Sequence, residues 1–358
     1  MSLWKWHDRI DFVPETSRIS LGEGNTPLIR SRSIGPSAGV PNLFFKLEMG
    51  NPSGSYKDRF AAAAVSHMVA NAQTKCIATS SGNTGAALAA YCAAAGIECH
   101  ITIVEGAPSG KLRQMMAYGA RIARIRRFGT DAETTNQVID KLAEIGRRPG
   151  WALQVSAFVY SPAGMSGVQS VSYELAEQAI APIDHVFCPA GGGGLCVAAA
   201  RGFKNLVASG DLAKSPTVEC VQPEGNDTIS GPLRDGALKA RSVACTTLVS
   251  GLQVASVVDG DLTIEECRSV GGTGHLVKDE DVWALQKRLA REEGIFSEPA
   301  GVVALTGALN AVRAGLIRPD ASIVCMVTGS GFKDDTAIDR MNADTDCPLI
   351  DPEQLDEW

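Results

Sequence analysis

Short apolar runs alternate with longer helix-like segments from residue 43 to about residue 330, and this alternation strongly constrains the fold. The predicted strands are residues 43–47, 76–79, 98–104, 120–125, 152–155, 185–189, 217–221 and 322–327. The predicted helices are residues 58–72, 83–95, 110–118, 130–146, 163–180, 194–209, 279–293 and 300–314. Strands that are apolar along their length suit a sheet covered on both faces, and alternation with helices produces parallel strands. The sequence therefore predicts an α/β fold with parallel sheets flanked by helices.

Two stretches fall outside this pattern in a chain whose 358 residues are enough for two domains. Residues 223–275 are glycine-rich and polar, which predicts a long irregular connection that covers a site or serves one. Residues 341–358 contain six acidic residues and no basic residue, so we expect a solvated acidic tail there.

The composition of the chain restricts the kinds of partner that it can be expected to bind. The net charge of −7 argues against nucleic acid, because phosphate backbones are bound by basic surfaces. No apolar run approaches the ~20 residues of a membrane helix, and the N-terminus lacks a signal peptide. The ten cysteines are scattered without a disulfide framework or a Cys-x-x-Cys pair, and the five histidines show no ligand spacing. We therefore expect a cytoplasmic protein with reduced thiols, no bound metal, and neither nucleic acid nor membrane as a partner.

Lys57 occupies an unusual position for a lysine. The turn formed by Pro52, Gly54 and Ser55 precedes it, and an alanine-rich helix begins around it. A lysine at a helix N-terminus is electrostatically unfavourable, because the positive end of the helix dipole prefers anions. The same field lowers the pKa of the amine and favours its neutral, nucleophilic form. Although most lysines are surface charges, this context predicts a reactive amine.

The next loop of interest is Ser80-Ser81-Gly82-Asn83-Thr84-Gly85, between a predicted strand and an alanine-rich helix. One interpretation is a simple turn in which Asn83 caps the helix. The other is a binding loop, in which backbone N–H groups and the hydroxyls of Ser80, Ser81 and Thr84 hold a carboxylate, as helix N-termini do. The residues of this loop alone do not separate the two.

Two further loops also follow predicted strands. Four consecutive glycines, Gly191, Gly192, Gly193 and Gly194, let backbone amides converge on a phosphate without obstruction by side chains. This loop lacks the Gly-Lys-Ser/Thr ending of a nucleotide-binding loop and the Gly-x-Gly-x-x-Gly spacing, so a phosphate site without a nucleotide fits better. After the last strand, Thr328 precedes Gly329-Ser330-Gly331, which is either a glycine turn or a site where the hydroxyl binds a ring nitrogen.

Taken in order, these motifs resemble the fold type II family of pyridoxal phosphate enzymes, which includes threonine synthase, threonine/serine dehydratase and the β-subunit of tryptophan synthase. The run Leu21-Gly22-Glu23-Gly24-Asn25-Thr26-Pro27-Leu28 is similar to the N-terminal signature of the family. The resemblance implies that Lys57 forms the Schiff base with pyridoxal 5'-phosphate and that Asn83 binds the ring hydroxyl. It also implies that Gly191 to Gly194 bind the phosphate and that Thr328 binds the pyridine nitrogen.

Within this family the motifs around Lys57 and Thr328 look most like threonine synthase. Two features depart from that pattern: the phosphate loop is all glycine, as in dehydratases, and residues 156–164 contain no arginine. Many threonine synthases place an arginine there to bind the substrate phosphate, and a guanidinium is hard to replace. Lys111, Arg113 and the Thr84 hydroxyl are candidate replacements.

The resemblance implies a two-domain fold like that of the tryptophan synthase β-subunit. Residues 1–75 and 158–340 would form the large domain, 76–157 a smaller inserted domain and 341–358 the acidic tail. The implied activity is that of a carbon–oxygen lyase of amino-acid biosynthesis, in which freed Lys57 removes the Cα proton of an amino-acid substrate. O-phosphohomoserine and water would then give threonine and phosphate. The alternatives are a serine/threonine ammonia-lyase or another β-elimination or β-replacement enzyme, and a non-catalytic ligand-binding homologue. A homodimer is also implied.

Overall fold

Ten strands form two sheets in the computed structural model, which describes residues 2–105, 109–254 and 257–357. The six-stranded sheet has the order β1-β2-β10-β7-β8-β9, and the four-stranded sheet has the order β5-β4-β3-β6. The strands are β1 Leu28–Arg30, β2 Leu43–Lys46, β3 Lys75–Thr79, β4 Glu98–Val104, β5 Arg121–Ile125, β6 Trp151–Gln154, β7 His185–Pro189, β8 Thr217–Pro223, β9 Gly274–Val277 and β10 Ile323–Met326.

Helices cover the sheets, as expected for strands that are buried on both faces. They are α1 Ile34–Ser37, α2 Lys57–Ala70, α3 Asn83–Ala95, α4 Ser109–Ala117, α5 Ala132–Gly146, α6 Pro162–Ser166, α7 Ser170–Gln178, α8 Gly194–Ala208, α9 Ser230–Arg234, α10 Gly260–Ser269, α11 Asp279–Glu293, α12 Val303–Arg313 and α13 Asp335–Asn342. Within the described residues, no helix combines the length and the apolar character that crossing a bilayer requires.

The predicted α/β class with mainly parallel sheets is confirmed. All strand pairs inside both sheets are parallel except β1 with β2, which is antiparallel and places β1 at an edge. Sequence patterning overlooked β1 because it has only three residues, none of them fully buried. The four strands of the smaller sheet all lie between Lys75 and Gln154.

The prediction of an irregular segment over residues 223–275 was wrong in part, because α9, α10 and β9 lie within it. Several of its glycines stand at the ends of these elements. Gly260 begins α10, Gly271 follows α10 with φ +77°, and Gly274 begins β9. Glycine is favoured where a backbone must turn, so a high glycine density here marks closely spaced element boundaries.

Helix α2 connects the two sheets. Its residues from Asp58 to Ser66 are buried, and the helix packs against α3 and α6. One apolar cluster contains residues of both sheets, such as Ala78 of β3 and Val324 of β10. The interior is therefore continuous between the sheets, and the carboxyl ends of their parallel strands face a common region.

Candidate active site

The predicted site residues lie on loops that follow strands of both sheets. Residues 80–85 follow β3, Ser156 follows β6, residues 190–194 follow β7, and Thr328 follows β10. In open α/β sheets, ligands bind at the carboxyl ends of the strands, where such loops converge. A hydrogen bond joins the loops after β3 and β6, and another joins Thr328 to the turn before Lys57.

Lys57 is the first residue of α2, and its side chain points to two hydroxyls. Its Nζ donates to Ser156 Oγ at 2.8 Å, and Ser156 Oγ lies 2.7 Å from Thr84 Oγ1. The Nζ also lies 4.5 Å from the ring centroid of Tyr56. Burial lowers the pKa of Lys57 to about 8, with the negative charge of Asp259 acting against it. A substantial neutral fraction near neutral pH is what a nucleophilic amine requires.

Asn83 is the first residue of α3, but the interpretation of this residue as the helix cap was wrong. Gly82 is the N-cap, and no side chain caps the helix there. The amide of Asn83 instead donates from Nδ2 to Oε1 of Glu298 at 2.6 Å. Glu298 is fully buried, and its backbone N–H donates to the carbonyl of Gly329 at 3.1 Å. The amide of Asn83 is thus oriented by a carboxylate 215 residues away in the sequence.

The glycine loop is closely packed. Gly193 has φ +95°, and a Cβ placed there would lie 1.9 Å from Thr263 Oγ1. A Cβ on Gly194 would lie 3.5 Å from the backbone oxygen of Ser156. Gly194 also begins the 15-residue helix α8, whose N-terminus attracts anions. The loop therefore places a candidate phosphate site next to the hydroxyl that contacts Lys57.

Thr328 is buried at the end of β10, and its carbonyl accepts from the Tyr56 N–H at 3.0 Å. This bond fixes the turn before Lys57 against the last strand of the larger sheet. Gly329 has no room for a side chain, since a Cβ there would lie 2.1 Å from Glu298 Oε1 and 3.2 Å from Asn83 Nδ2. Thr328, Glu298 and Asn83 are consequently neighbours.

The other residues predicted to contact the substrate are Ser80, Ser81, Lys111 and Arg113. Ser80 and Ser81 are half-buried before α3, and Ser80 Oγ accepts from the Gly82 N–H at 3.2 Å. The side chain of Lys111 lies outside the described residues. Arg113 is exposed on α4.

The stretch that lacks an arginine is held by two side chains. Ser161 is buried, and its hydroxyl accepts from the Val155 N–H at 3.1 Å. The carboxylate of Asp259 accepts from the N–H groups of Phe158 and Val159 at 2.7 and 3.1 Å. Asp259 lies at the start of α10, the helix that the sequence did not predict, so its contribution was also missed.

The donor set fits pyridoxal phosphate. Lys57 offers an amine for the aldehyde carbon, Asn83 an amide for the ring hydroxyl, and Thr328 a hydroxyl for the ring nitrogen. The glycine loop at the start of α8 offers backbone amides for the phosphate. Glycine at position 329 lets the backbone after Thr328 pack directly against Glu298 and Asn83, where a side chain would collide with Glu298.

Comparisons with known proteins agree with this fit. The family model described as "Pyridoxal-phosphate dependent enzyme" matches residues 19–329. The chain is 30% identical over 346 residues to threonine synthase of Methanocaldococcus jannaschii, covering 95% of this chain and 82% of that protein. It is 30% identical over 352 residues to threonine synthase of Mycobacterium tuberculosis, covering 97% of this chain and 92% of that protein.

Solved structures share the fold at lower identity. Maize serine racemase matches with a TM-score of 0.75 at 24% identity, covering 95% of each chain. Threonine deaminase isoform 2 of Solanum lycopersicum matches with a TM-score of 0.74 at 21% identity, covering 95% of this chain and 92% of that one. The chain therefore belongs to the pyridoxal-phosphate dependent enzyme family of fold type II, whose members use pyridoxal 5'-phosphate and act on amino acids.

Proposed function

We propose that this protein is a lyase that eliminates a substituent from an amino acid, with Lys57 as its catalytic residue. Lys57 would hold the cofactor covalently, Asn83 would bind the ring hydroxyl and Thr328 the ring nitrogen. Gly191, Gly192, Gly193 and Gly194 would bind the phosphate. Ser80, Ser81, Thr84 and Lys111 would bind the substrate.

The observation that carries this proposal is the contact of the Lys57 amine with Ser156 and, through it, with Thr84. Bound pyridoxal phosphate supplies the electron sink that makes the Cα proton of an amino acid removable. Lys57 Nζ then has two tasks, to take up that proton and to deliver it to the departing group. A neutral amine with a hydroxyl 2.8 Å away is suited to both, because the hydroxyl orients the amine in either protonation state.

For the substrates, we propose O-phosphohomoserine and water, with threonine and phosphate as products. The support is the 30% identity to threonine synthases over nearly the whole chain, together with the sequence around Lys57. Hydroxyls of Thr84 and Ser156 lie beside the amine and offer hydrogen bonds to the phosphate that leaves.

A second candidate is elimination of a neutral hydroxyl from serine or threonine. The observation that favours it is the stretch from Ser156 to Ser161, which contains no cation. Ser161 is buried and engaged with the Val155 backbone, so this stretch offers no charge to a substrate phosphate. A neutral leaving group requires no such charge.

The two candidates can be separated with purified holoenzyme. O-phosphohomoserine should release phosphate and form threonine, while serine and threonine should release little keto acid. Keto acid without phosphate release would assign the second candidate instead. Lys57→Ala serves as the inactive control for both assays. A protein that lacks the visible absorbance of lysine-bound cofactor and converts none of these amino acids would be a ligand-binding homologue.

We also propose two domains, 1–75 with 158–340 and 76–157, followed by the acidic tail 341–358. The location of all four strands of the smaller sheet between Lys75 and Gln154 supports this division. The homodimer remains a prediction that sedimentation of the purified protein would check.

A further inference from the structure

Three cysteine side chains lie close together at the smaller sheet. They are outside the candidate active site. Cys76 on β3 and Cys99 on β4 are register partners in adjacent parallel strands, and Cys92 lies on α3. All three are buried free thiols. Their Sγ atoms lie within 4.8 Å of one another, the only group of three or more His, Cys, Asp or Glu ligand atoms this close among the described residues.

We propose that Cys76, Cys92 and Cys99 form a binding site for a trivalent thiophilic metalloid, with arsenite as its representative ligand. The separation of the sulfurs fits a trigonal site. An ion about 2.3 Å from each of three sulfurs places those sulfurs about 4 Å apart. The three thiols lie on three different elements, β3, α3 and β4, and their Sγ atoms are already within 4.8 Å of one another, so we expect small side-chain movements to complete this arrangement.

The net charge of the ion and its three thiolates decides which thiophilic ions suit this site. Zinc requires a fourth ligand, and no fourth His, Cys, Asp or Glu joins the group in the described part of the chain. Three thiolates around a monovalent or divalent ion would also leave net negative charge in an apolar interior, which is costly. A trivalent centre bound to three thiolates is neutral, so it suits the apolar cluster to which all three cysteines belong.

The binding step balances without an oxidant or reductant. Arsenite, As(OH)₃, exchanges its three As–O bonds for three As–S bonds. The three thiol protons leave with the three hydroxyl groups as water, and arsenic remains trivalent.

A metalloid bound by the three cysteines would link the elements on either side of the loop formed by residues 80–85. Cys92 lies nine residues after Asn83 on α3, about 14 Å along the helix axis. Cys76 lies on β3, which ends directly before Ser80. Binding would therefore fix α3 against β3 and β4 behind that loop.

The test uses holoenzyme incubated with sodium arsenite, followed by gel filtration and measurement of arsenic content. The expected result is one arsenic per chain. Alkylation of the denatured protein, followed by mass spectrometry, should show protection at Cys76, Cys92 and Cys99. This mapping needs no variant. Less than stoichiometric binding, or protection at other cysteines, would overturn the proposal.

Variants give an independent check. For Cys92→Ala we expect a loss of affinity larger than the roughly 10–100-fold typical for removing a residue that supports a metal ligand. Cys196→Ala is the matched control, since Cys196 is a buried cysteine on a helix of the larger sheet, and its arsenic binding should equal that of wild type. Unchanged binding by Cys92→Ala, with the cofactor absorbance intact, would contradict the proposal.

Discussion

Two lysines that stand close in the sequence, Lys46 and Lys57, occupy contrasting environments. Lys46 is fully buried at the end of β2, and its Nζ donates to the Thr26 carbonyl, to Glu174 and to Gln178 at 2.8, 2.8 and 2.9 Å. Lys57 is partly exposed, and its Nζ donates to the neutral hydroxyl of Ser156. The first amine has a carboxylate and two neutral acceptors, whereas the second has an acceptor without charge.

The charges around the two amines differ accordingly. Burial acts to lower the pKa of Lys46, but the carboxylates of Glu174 and Glu48 act against it. Burial also lowers the pKa of Lys57, to about 8, and the charge that acts against it belongs to Asp259. A buried amine that is paired with carboxylates stabilises the fold, while one that faces hydroxyls is available for chemistry.

The largest expected effect is that of Lys57→Ala on activity. Without the amine, both covalent attachment of the cofactor and proton transfer at Cα are lost, and proton transfer alone contributes about 10²–10⁴-fold. We expect loss of the visible absorbance of lysine-bound cofactor, measured by spectroscopy, together with loss of turnover. Lys75→Ala, at an exposed lysine, is the control and should retain both. A Lys57→Ala protein with wild-type turnover would remove the functional distinction between the two lysines.

Glu174→Gln should instead act on stability. Burial acts to raise the pKa of Glu174, but the charges of Arg59 and Lys46 and their hydrogen bonds outweigh it and lower the pKa to about 2. Removing one charge from this buried group leaves cations uncompensated, at a cost of about 3–5 kcal/mol in the free energy of unfolding. Urea denaturation of the holoenzyme measures this cost.

The pH dependence of that difference has a definite sign. A carboxyl whose pKa is lower in the folded state contributes stability above its unfolded pKa and loses it as the pH falls. The difference in the free energy of unfolding between wild type and Glu174→Gln should be largest above pH 4.5. It should shrink as the pH falls towards about 2. Glu177→Gln is the matched control on the same helix. Its ion pair with Lys5 is exposed, so its effect should be below about 1 kcal/mol. Equal effects of the two variants would contradict this assignment.

The difference between local motifs and contacts over long sequence distances explains which parts of the site the sequence could predict. Lys57 and Asn83 could be predicted as site residues because each begins an alanine-rich helix within a short motif, and such motifs are local. Ser156 and Glu298 were missed as partners because Lys57 and Ser156 are 99 residues apart, and Asn83 and Glu298 are 215 residues apart. Contacts of this kind depend on how the two sheets pack, which no local pattern specifies.

Prediction of the fold from local sequence patterns has the same limit. Strands such as β7 and β10 were predicted within one or two residues because burial on both faces leaves a continuous apolar run. The antiparallel strand β1 and helix α10 were missed. The first is too short for periodicity to be visible, and the second begins with a glycine in a polar region. With α10, the sequence also missed Asp259, the carboxylate that holds the Phe158 and Val159 backbone.

A third prediction uses the pH dependence of cofactor uptake. Apoprotein captures pyridoxal phosphate only when the Lys57 amine is neutral, so the rate of capture should rise with pH. Below pH about 8 the neutral fraction grows about tenfold per pH unit, and above that value it levels off. Stopped-flow absorbance after mixing apoprotein with the cofactor measures this profile. A midpoint near 10.5, the ordinary lysine value, would show that burial does not affect this amine.

The smallest expected effect is that of Ser156→Ala on the same profile. The Lys57 amine donates to Ser156 Oγ in both of its protonation states, but a charged donor forms the stronger bond, by about 1 kcal/mol. Removing the hydroxyl therefore disfavours the ammonium form and should lower the midpoint by somewhat less than one pH unit, since a full unit corresponds to about 1.4 kcal/mol. Thr84→Val is the matched variant, because Thr84 contacts Ser156 and not the amine, and its midpoint should move less. A midpoint that moves upward in Ser156→Ala would mean that the hydroxyl serves the neutral amine, as a donor to its lone pair. Lys57 would then differ from Lys46 in the direction of its hydrogen bond as well as in the charge of its partner.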